Sequence, residues 1–292
     1  MASFPSKFRP FDIAAIVYSV ALSALIIIFG GLSYHIIILM LYLLLVLCIV
    51  HFWSNAESGW RAFFRKAYPL FSFTFLYEQT GRFIHLIYPD FFDYQVINWE
   101  KVIFRENPTV LLQKVSYPIL NEFFYFCYTS YYFLILVLGI YLYIHKRYKA
   151  FEKMVTASSI AFYTSYLFFI LYPVEGPRYA LAGHYLMNPK GYIFVPLANF
   201  VINSAGLRGG CMPSSHVAIG VVTAILSIRY AKELSAYYTL LGIGLTIGTF
   251  WGRFHYVSDA TAGIVLGIIA VWLTEKIYGF RMKKDSRRST LL

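Results

Sequence analysis

The chain has 292 residues, of which 59% are hydrophobic and only 13% are charged, and its formal net charge at pH 7 is +11. Soluble domains contain about 45–50% apolar and about 25% charged residues, so this composition excludes an ordinary soluble domain and indicates a protein of the lipid bilayer. The basic residues are scattered among short segments instead of forming one continuous patch, which argues against nucleic acid as a partner. We therefore expect membrane lipids as the surroundings and partners of this chain.

Apolar runs predict about eight transmembrane helices, because a helix needs about 20 mostly apolar residues to cross a bilayer. The seven clear runs lie at 13–32, 35–53, 119–144, 154–172, 214–230, 236–254 and 258–278. An eighth run, 68–89, contains Glu78 and Arg82, whose spacing of four places both on one helix face. This spacing indicates either a structural ion pair or a position near a functional site, since unpaired charges are costly in lipid. The sequence predicts an all-α, polytopic integral membrane helix bundle that forms one membrane domain over 1–292.

Basic residues predict the orientation of this bundle, because cytoplasmic loops carry an excess of Lys and Arg. With eight spans and a cytoplasmic N-terminus, every cytoplasmic segment is basic. The residues concerned are Lys7, Arg9, Arg61, Arg65, Lys66, Lys146, Arg147, Lys149, Lys153, Arg229, Lys232, Arg281, Lys283, Lys284, Arg287 and Arg288. The longer connections, 90–118 and 173–213, then lie on the extracytoplasmic or lumenal side, and both termini lie in the cytoplasm.

Three polar clusters fall on this extracytoplasmic side. They are YPVEGPRY at 172–179, CMPSSHVA at 211–218 and GRFHYVSDA at 252–260. In the second cluster Pro213 suits the opening of a helix, so that Ser214, Ser215 and His216 occupy the first turn, where backbone N–H groups lack partners within the helix. Such a terminus attracts an anion through its free donors and its dipole. We expect it to bind phosphate.

The other two clusters add groups that suit phosphate chemistry. His255 and Asp259 are four residues apart, so on a continuous helical turn their side chains meet. A carboxylate in that position can keep one imidazole nitrogen protonated and leave the other free as a nucleophile or base. Arg178 follows Pro-Val-Glu-Gly-Pro, and its planar guanidinium matches phosphate oxygens. Together the clusters predict an anion site with one arginine and two histidines.

The stretches PVEGPR, PSSHVA and HYVSD resemble the three signatures of the type 2 phosphatidic acid phosphatase superfamily, which is related to vanadium haloperoxidases. The likeness covers 172–278, and YPLFSFTFLYEQTGR upstream is similar to the membrane branch that includes inositol phosphorylceramide synthases. The resemblance implies a six-helix phosphatase-like core, with His255 as nucleophile, Asp259 as its orienting partner and His216 as general acid. The phosphate-binding residues that it implies are Arg178, Ser214 and Ser215.

The chain departs from the family pattern at three positions. Leu171 stands where the family has a lysine, Ser215 replaces a glycine, and Thr249 replaces an arginine. Two family cations are therefore missing from the motifs. Arg208 and Arg253 are the candidate substitutes, because both lie in extracytoplasmic loops near the clusters.

Neither a metal nor an organic cofactor is expected, because arginine and backbone dipoles supply the positive charge in this kind of site. Cys48, Cys127 and Cys211 are odd in number and lack the spacing of zinc ligands. They predict neither a disulfide framework nor a zinc site.

The resemblance implies a membrane lipid phosphatase that hydrolyses a lipid phosphate monoester or diphosphate through a phosphohistidine on the outer face. The missing cations favour an alternative, the transfer of a phospholipid headgroup to an alcohol, as in inositol phosphorylceramide synthases. A proton-coupled transporter would use His216, His255 and Asp259 as a relay, but such groups are expected near the bilayer midplane and not at helix ends. A catalytically inactive protein that only binds lipid phosphate is the remaining alternative.

Overall fold

The structure is a computed structural model that describes residues 7–56 and 58–289, with the backbone alone for residues 205 and 282–289. Within these ranges the chain forms twelve α-helices and no β-strand. They are α1 (Pro10–Leu25), α2 (Tyr34–Trp53), α3 (Gly59–Gly81), α4 (Asp93–Phe104), α5 (Pro108–Leu111), α6 (Pro118–Ile144), α7 (Tyr148–Leu171), α8 (Pro177–Ala180), α9 (Phe194–Ala205), α10 (Ser215–Tyr230), α11 (Lys232–Trp251) and α12 (Val257–Ser289). The predicted all-α, polytopic membrane bundle is confirmed.

Five helical segments of the described chain are long and apolar enough to cross a membrane. They are Pro10–Gly30, Tyr34–Trp53, Pro118–Ile144, Tyr148–Leu171 and Val257–Arg281. The predicted runs 68–89, 214–230 and 236–254 also form helices, namely α3, α10 and α11, but none of these meets the same criterion of length and apolarity. Helix α10 has only 16 residues, fewer than the roughly 20 that a full crossing needs.

Helix α3 differs most from its predicted run, because it begins with residues that the charge pattern assigned to a loop. Arg61, Arg65 and Lys66 lie in its first turns. Arg65 is fully buried, and its two terminal nitrogens donate to the Asp12 carboxylate of α1 at 2.9 and 2.6 Å, where Tyr68 also donates at 2.6 Å. This bidentate pair neutralises two buried charges. Because this charge is neutralised, α3 can begin at Gly59, before the apolar run predicted at 68–89.

Of the two interpretations of Glu78 and Arg82, the ion pair does not form, since no salt bridge or hydrogen bond joins the two side chains in the described structure. Helix α3 ends at Gly81, and Arg82 is its C-cap residue with helical backbone angles (φ −72°, ψ −14°). Both side chains are exposed, so neither charge needs the other as a partner.

The long helices alternate in direction between two ends of the bundle. At one end Arg9, before α1, pairs with Glu152 of α7 at 2.6 Å, and Lys153 of α7 pairs with Glu275 of α12 at 2.7 Å. We call this the basic end. Helices α3, α7 and α11 end at the opposite end, where α6, α10 and α12 begin. We call it the site end, because all three polar clusters lie there.

Two glycines bring α12 against α10, the helix that carries Ser214 at its start. They are Gly263 and Gly267, four residues apart on α12. A Cβ atom on Gly263 would lie 2.5 Å from the carbonyl oxygen of Ser214, and one on Gly267 would lie 2.6 Å from that of Ala218. Such contacts are shorter than real Cβ atoms make. The glycines therefore permit a backbone approach of the kind seen at small-residue helix interfaces in membranes.

Candidate active site

The start of α10 forms an open helix terminus at the site end. Ser214 is the N-cap residue, and its hydroxyl accepts a hydrogen bond from the backbone N–H of Val217 at 3.4 Å. The helix therefore begins at Ser215. Ser214, directly after Pro213, is the N-cap residue, and its carbonyl oxygen accepts the first helical hydrogen bond from Ala218 at 3.0 Å. The backbone N–H groups of Ser215 and His216 have no acceptor among the described residues. These two donors are free for an anion.

His255 and Asp259 lie together, but the hydrogen bond expected between them is not made. The Nδ1 atom of His255 is 3.6 Å from Asp259 Oδ2, which is too long, whereas it lies 3.0 Å from the carbonyl oxygen of Cys211. Asp259 Oδ2 instead accepts the backbone N–H of Tyr256 at 2.9 Å. A carbonyl accepts only, so Nδ1 carries the proton and Nε2 keeps its lone pair.

Burial sets the charge of His255. The side chain is almost completely enclosed, and desolvation lowers its pKa to about 4, against the opposing effect of the hydrogen bond to Cys211. The ring is consequently neutral at pH 7. A neutral imidazole with a free Nε2 has the protonation state of a nucleophile.

His216 faces His255 across the site, with 5.6 Å between the ring centroids. Its ring packs against two tyrosines of α6: Tyr131 lies 4.2 Å away and Tyr128 lies 5.3 Å away in a stacked arrangement. Its Nδ1 atom is buried and has no hydrogen-bond partner in the described part of the chain. The structure thus brings the two predicted histidines together on different helices and leaves His216 without a partner that fixes its proton.

A carboxylate that the sequence reading missed joins two of the three polar clusters. Asp93 of α4 accepts the backbone N–H groups of Glu175 and Gly176, at 2.7 and 2.9 Å, and the hydroxyl of Tyr256 at 2.8 Å. The loop before Arg178 and the segment of His255 are therefore tied to one side chain. Burial raises the pKa of Asp93, while the bonds from Gly176 and Tyr256 act in the opposite direction.

A second missed carboxylate, Glu100 of α4, binds the start of α12. Its Oε1 atom accepts the backbone N–H of Ser258 at 3.0 Å and the Ser258 hydroxyl at 3.1 Å. Burial raises its pKa, opposed by these bonds. Asp93, Val96 and Glu100 are all buried and recur at positions i, i+3 and i+7 of α4. That periodicity, typical of one helix face, is the signal that could have found both carboxylates.

Arg178 lies near the histidines but binds a neighbouring helix. Its Nη2 donates to Asn199 Oδ1 of α9 at 2.8 Å, and its guanidinium lies 5.8 Å from the centroid of the Phe254 ring, beside His255. Helix α9 is itself held by Glu122, whose carboxylate accepts four consecutive backbone N–H groups at 192–195. The guanidinium is therefore positioned next to the site without contacting either histidine.

The two candidate substitute cations have protein partners of their own. Arg208 is largely exposed and forms an ion pair with Glu175. Arg253 is buried, donates to the carbonyl oxygen of Met187 at 2.8 Å and lies 3.7 Å from the centre of the Tyr185 ring. Neither guanidinium makes a hydrogen bond or ring contact with the two histidines in the part of the chain that the structure describes.

Three potential metal-ligand atoms lie within 4.8 Å of one another, on Cys211, His255 and Asp259. The Cys211 thiol donates to the carbonyl oxygens of Glu175 and Phe254, at 3.2 and 3.4 Å. Burial raises the pKa of this thiol, whereas a metal ligand must be a thiolate. Structural zinc also takes four ligands, and this group offers three. The donor set does not fit such a centre.

A cavity of about 340 Å³ runs from His216 between α3, α6, α7, α9 and α10. Its walls are mainly apolar and aromatic. The hydroxyls of Tyr128, Tyr131 and Tyr132 border it and have no hydrogen-bond partner in the described structure, and neither has the Glu78 carboxylate. The cavity can therefore hold an apolar molecule that carries hydroxyl groups.

A family model described as the PAP2 superfamily matches residues 95–273, which is more than half of the chain. The matched range contains the three polar clusters and Glu100 of α4. No curated protein and no solved structure matches the sequence.

Proposed function

Because the chain belongs to the PAP2 superfamily, we propose that it cleaves a phosphate ester of a membrane lipid through a phosphohistidine formed on His255. The members of this superfamily are phosphoesterases and phosphotransferases, which supports the reaction class. The observation that carries the proposal is the pairing of a neutral His255 with His216, 5.6 Å apart, beside two free backbone donors at the start of α10.

In the first step the Nε2 lone pair of His255 attacks phosphorus. A P–N bond forms while the P–O bond to the lipid alcohol breaks, and His216, acting as the imidazolium, gives a proton to the departing oxygen. Burial and the neighbouring His255 lower the pKa of His216 to about 3 in the free protein, so this proton is taken up together with the anionic phosphate, whose negative charge favours the charged ring. The Cys211 carbonyl keeps the proton on Nδ1, and the nearby Asp259 carboxylate stabilises the positive charge that develops on the ring. The free N–H groups of Ser215 and His216, together with Arg178, stabilise the charge on the phosphoryl oxygens.

In the second step water attacks the phosphohistidine. His216 now accepts a proton from the water, the P–N bond breaks, and inorganic phosphate leaves with His255 restored. The two steps together consume one water molecule and need no other reactant. The charge pattern supports an extracytoplasmic or lumenal location of the site, because the basic end carries the Lys and Arg residues that favour the cytoplasm.

Headgroup transfer is the second candidate function, and the cavity beside His216 favours it. An alcohol held there, with its hydroxyl near the free Tyr131 and Tyr132 hydroxyls, would reach the same base that activates water. Excluding water from the phosphohistidine would then let the alcohol compete. The likeness of the upstream segment to inositol phosphorylceramide synthases supports this alternative.

The partition of label between water and alcohols tests both functions. Purified protein is incubated with a lipid labelled in its phosphate, and candidate alcohols are added in turn. We expect label in inorganic phosphate, in amounts that do not depend on the alcohol. Label that moves preferentially to one alcohol would establish transfer instead. Labelled lipid that binds without turnover would contradict both and indicate a binding protein.

A further inference from the structure

A cavity of about 920 Å³ lies at the basic end, on the opposite side of the molecule from the histidines. The α6–α7 turn, the start of α7, the α10–α11 junction and α12 line it, and it is partly open to the outside. Seven cationic side chains and only two carboxylates line it: Lys146, Arg147, Lys149, Lys153, Arg229, Lys232 and Arg281, with Glu152 and Glu233. The proposed reaction uses none of these residues.

Some of these cations are held in place by the protein. Lys153 Nζ lies 2.7 Å from both the Tyr230 hydroxyl and Glu275 Oε2, and Arg281 donates to the carbonyl oxygen of Phe8 at 3.1 Å. The Glu275 carboxylate also lies 3.4 Å from Arg229, and Glu233 lies 3.5 Å from Arg147, so carboxylates partly neutralise three of the seven cations. The net positive charge of the cavity therefore comes mainly from Arg281 and the unpaired lysines.

Other cations at the same cavity have no partner. Lys146, Lys149 and Lys232 are exposed and make no ion pair or side-chain hydrogen bond with the described residues. The preference of cytoplasmic loops for basic residues explains why these lysines occur at this end of the bundle. It does not explain why they converge on one concavity, where like charges repel one another.

We propose that this cavity binds an anion that carries two or more phosphate groups. Its volume of about 920 Å³ lies within the range of ligand pockets, which is about 300–1,000 Å³. A second cavity, lined by Arg9, Lys66 and Lys149 among others, adjoins it and extends the basic surface. Basic pockets between membrane helices on the cytoplasmic side are suited to phosphorylated lipid headgroups, and a free polyphosphate presents the same chemistry.

Binding is measured in the His255→Ala background, so that turnover at the site end cannot consume a phosphorylated probe. The probes are inorganic tripolyphosphate and a short-chain phosphatidylinositol bisphosphate, each titrated against purified protein in detergent at fixed ionic strength. The test variant combines Lys146→Gln, Lys149→Gln and Lys232→Gln. The control combines Lys101→Gln, Lys114→Gln and Lys190→Gln, which removes three charges that are also exposed but lie outside the cavity.

We expect the test variant to weaken binding about tenfold or more, while the control binds as the parent does. Binding of both probes would identify the phosphate groups themselves as the ligand, and binding of the lipid alone would identify a headgroup with its chains. The proposal is overturned if neither probe binds the parent, or if the control variant loses as much affinity as the test variant. Lipid phosphate turnover by the test variant with His255 intact should be unchanged, which separates this site from the proposed reaction.

Discussion

The reactivity that we assign to His255 depends on its immediate contacts, and the most important is a backbone carbonyl. The sequence places Asp259 four residues away and predicts that its carboxylate orients the ring. In the structure the Cys211 carbonyl oxygen accepts the hydrogen bond from His255 Nδ1 at 3.0 Å. The Asp259 carboxylate lies 3.6 Å from Nδ1, too far for a hydrogen bond. Both arrangements favour the same tautomer. The residue pair could be predicted from spacing, but the identity of the acceptor could not, since Cys211 approaches through a turn 44 residues away in the chain.

The low pKa of His255 leads to a prediction about pH. Protonation would occupy the Nε2 lone pair, and the pKa of about 4 places that event well below neutrality. We expect the rate of the first step, measured in single turnovers with an activated phosphate ester, to stay constant on acidification from about pH 7 to about pH 5. It should fall only near pH 4. An acidic limb centred near 6.5, the ordinary value for histidine, would show that the ring is solvated.

Asp93 offers a second test at the residue scale. In Asp93→Ala two backbone N–H groups and the Tyr256 hydroxyl lose their acceptor, and an unsatisfied buried donor costs about 1–3 kcal/mol. We expect kcat to fall about tenfold or more, together with a lower unfolding temperature. Tyr256→Phe is the matched control, because it removes only one of the three bonds. Equal losses in the two variants would contradict the role of Asp93 in joining the clusters.

At the scale of the helices, the apolar runs were predicted, whereas the short amphipathic helix α4 was missed although its periodicity was a usable signal. The runs that became α2, α6 and α7 could be located because burial in lipid requires continuous apolar sequence. Helix α4 has only 12 residues with buried carboxylates, so it contains no such run. The start of α3 was missed for another reason: Arg65 is neutralised by Asp12, 53 positions away, and a pairing of that range leaves no local signal.

The contact between α10 and α12 gives a prediction for helices. In Gly263→Ala the added Cβ would lie 2.5 Å from the Ser214 carbonyl oxygen, which forces the two helices apart. Because Ser214 and Asp259 lie at this contact, we expect loss of most turnover and a lower unfolding temperature. The control is Gly279→Ala on the same helix, where a Cβ has no neighbour within 4 Å. Normal turnover by Gly263→Ala would show that the close approach is not required.

For the whole molecule, alternation of the long helices explains how three clusters distant in sequence come to share the site end. This feature was predictable, because counting spans assigns each loop to a side. The partners of Arg178, Arg208 and Arg253 were not predictable. Each guanidinium is held by a group from a distant loop or helix, and the missing family cations gave no indication of those contacts.

The orientation of the bundle in the membrane can be tested by chemical labelling. Lys190 lies in the long connection at the site end, and Lys149 lies at the basic end; both are exposed. We expect Lys190→Cys to react with an impermeant thiol reagent added outside intact cells and Lys149→Cys to react only after permeabilisation. The parent chain serves as the control for the native cysteines. The reverse pattern would place the site in the cytoplasm.

The most direct measurement for the proposed mechanism is the capture of phosphate on His255. An activated phosphate ester needs no general acid for its departure, so His216→Ala should complete the first step but lack the base for the second. After rapid quenching, we expect mass spectrometry to find a phosphorylated peptide containing His255 in the His216→Ala variant, and none when His255 is also replaced by alanine. Phosphate on another residue, or its persistence without His255, would contradict the mechanism.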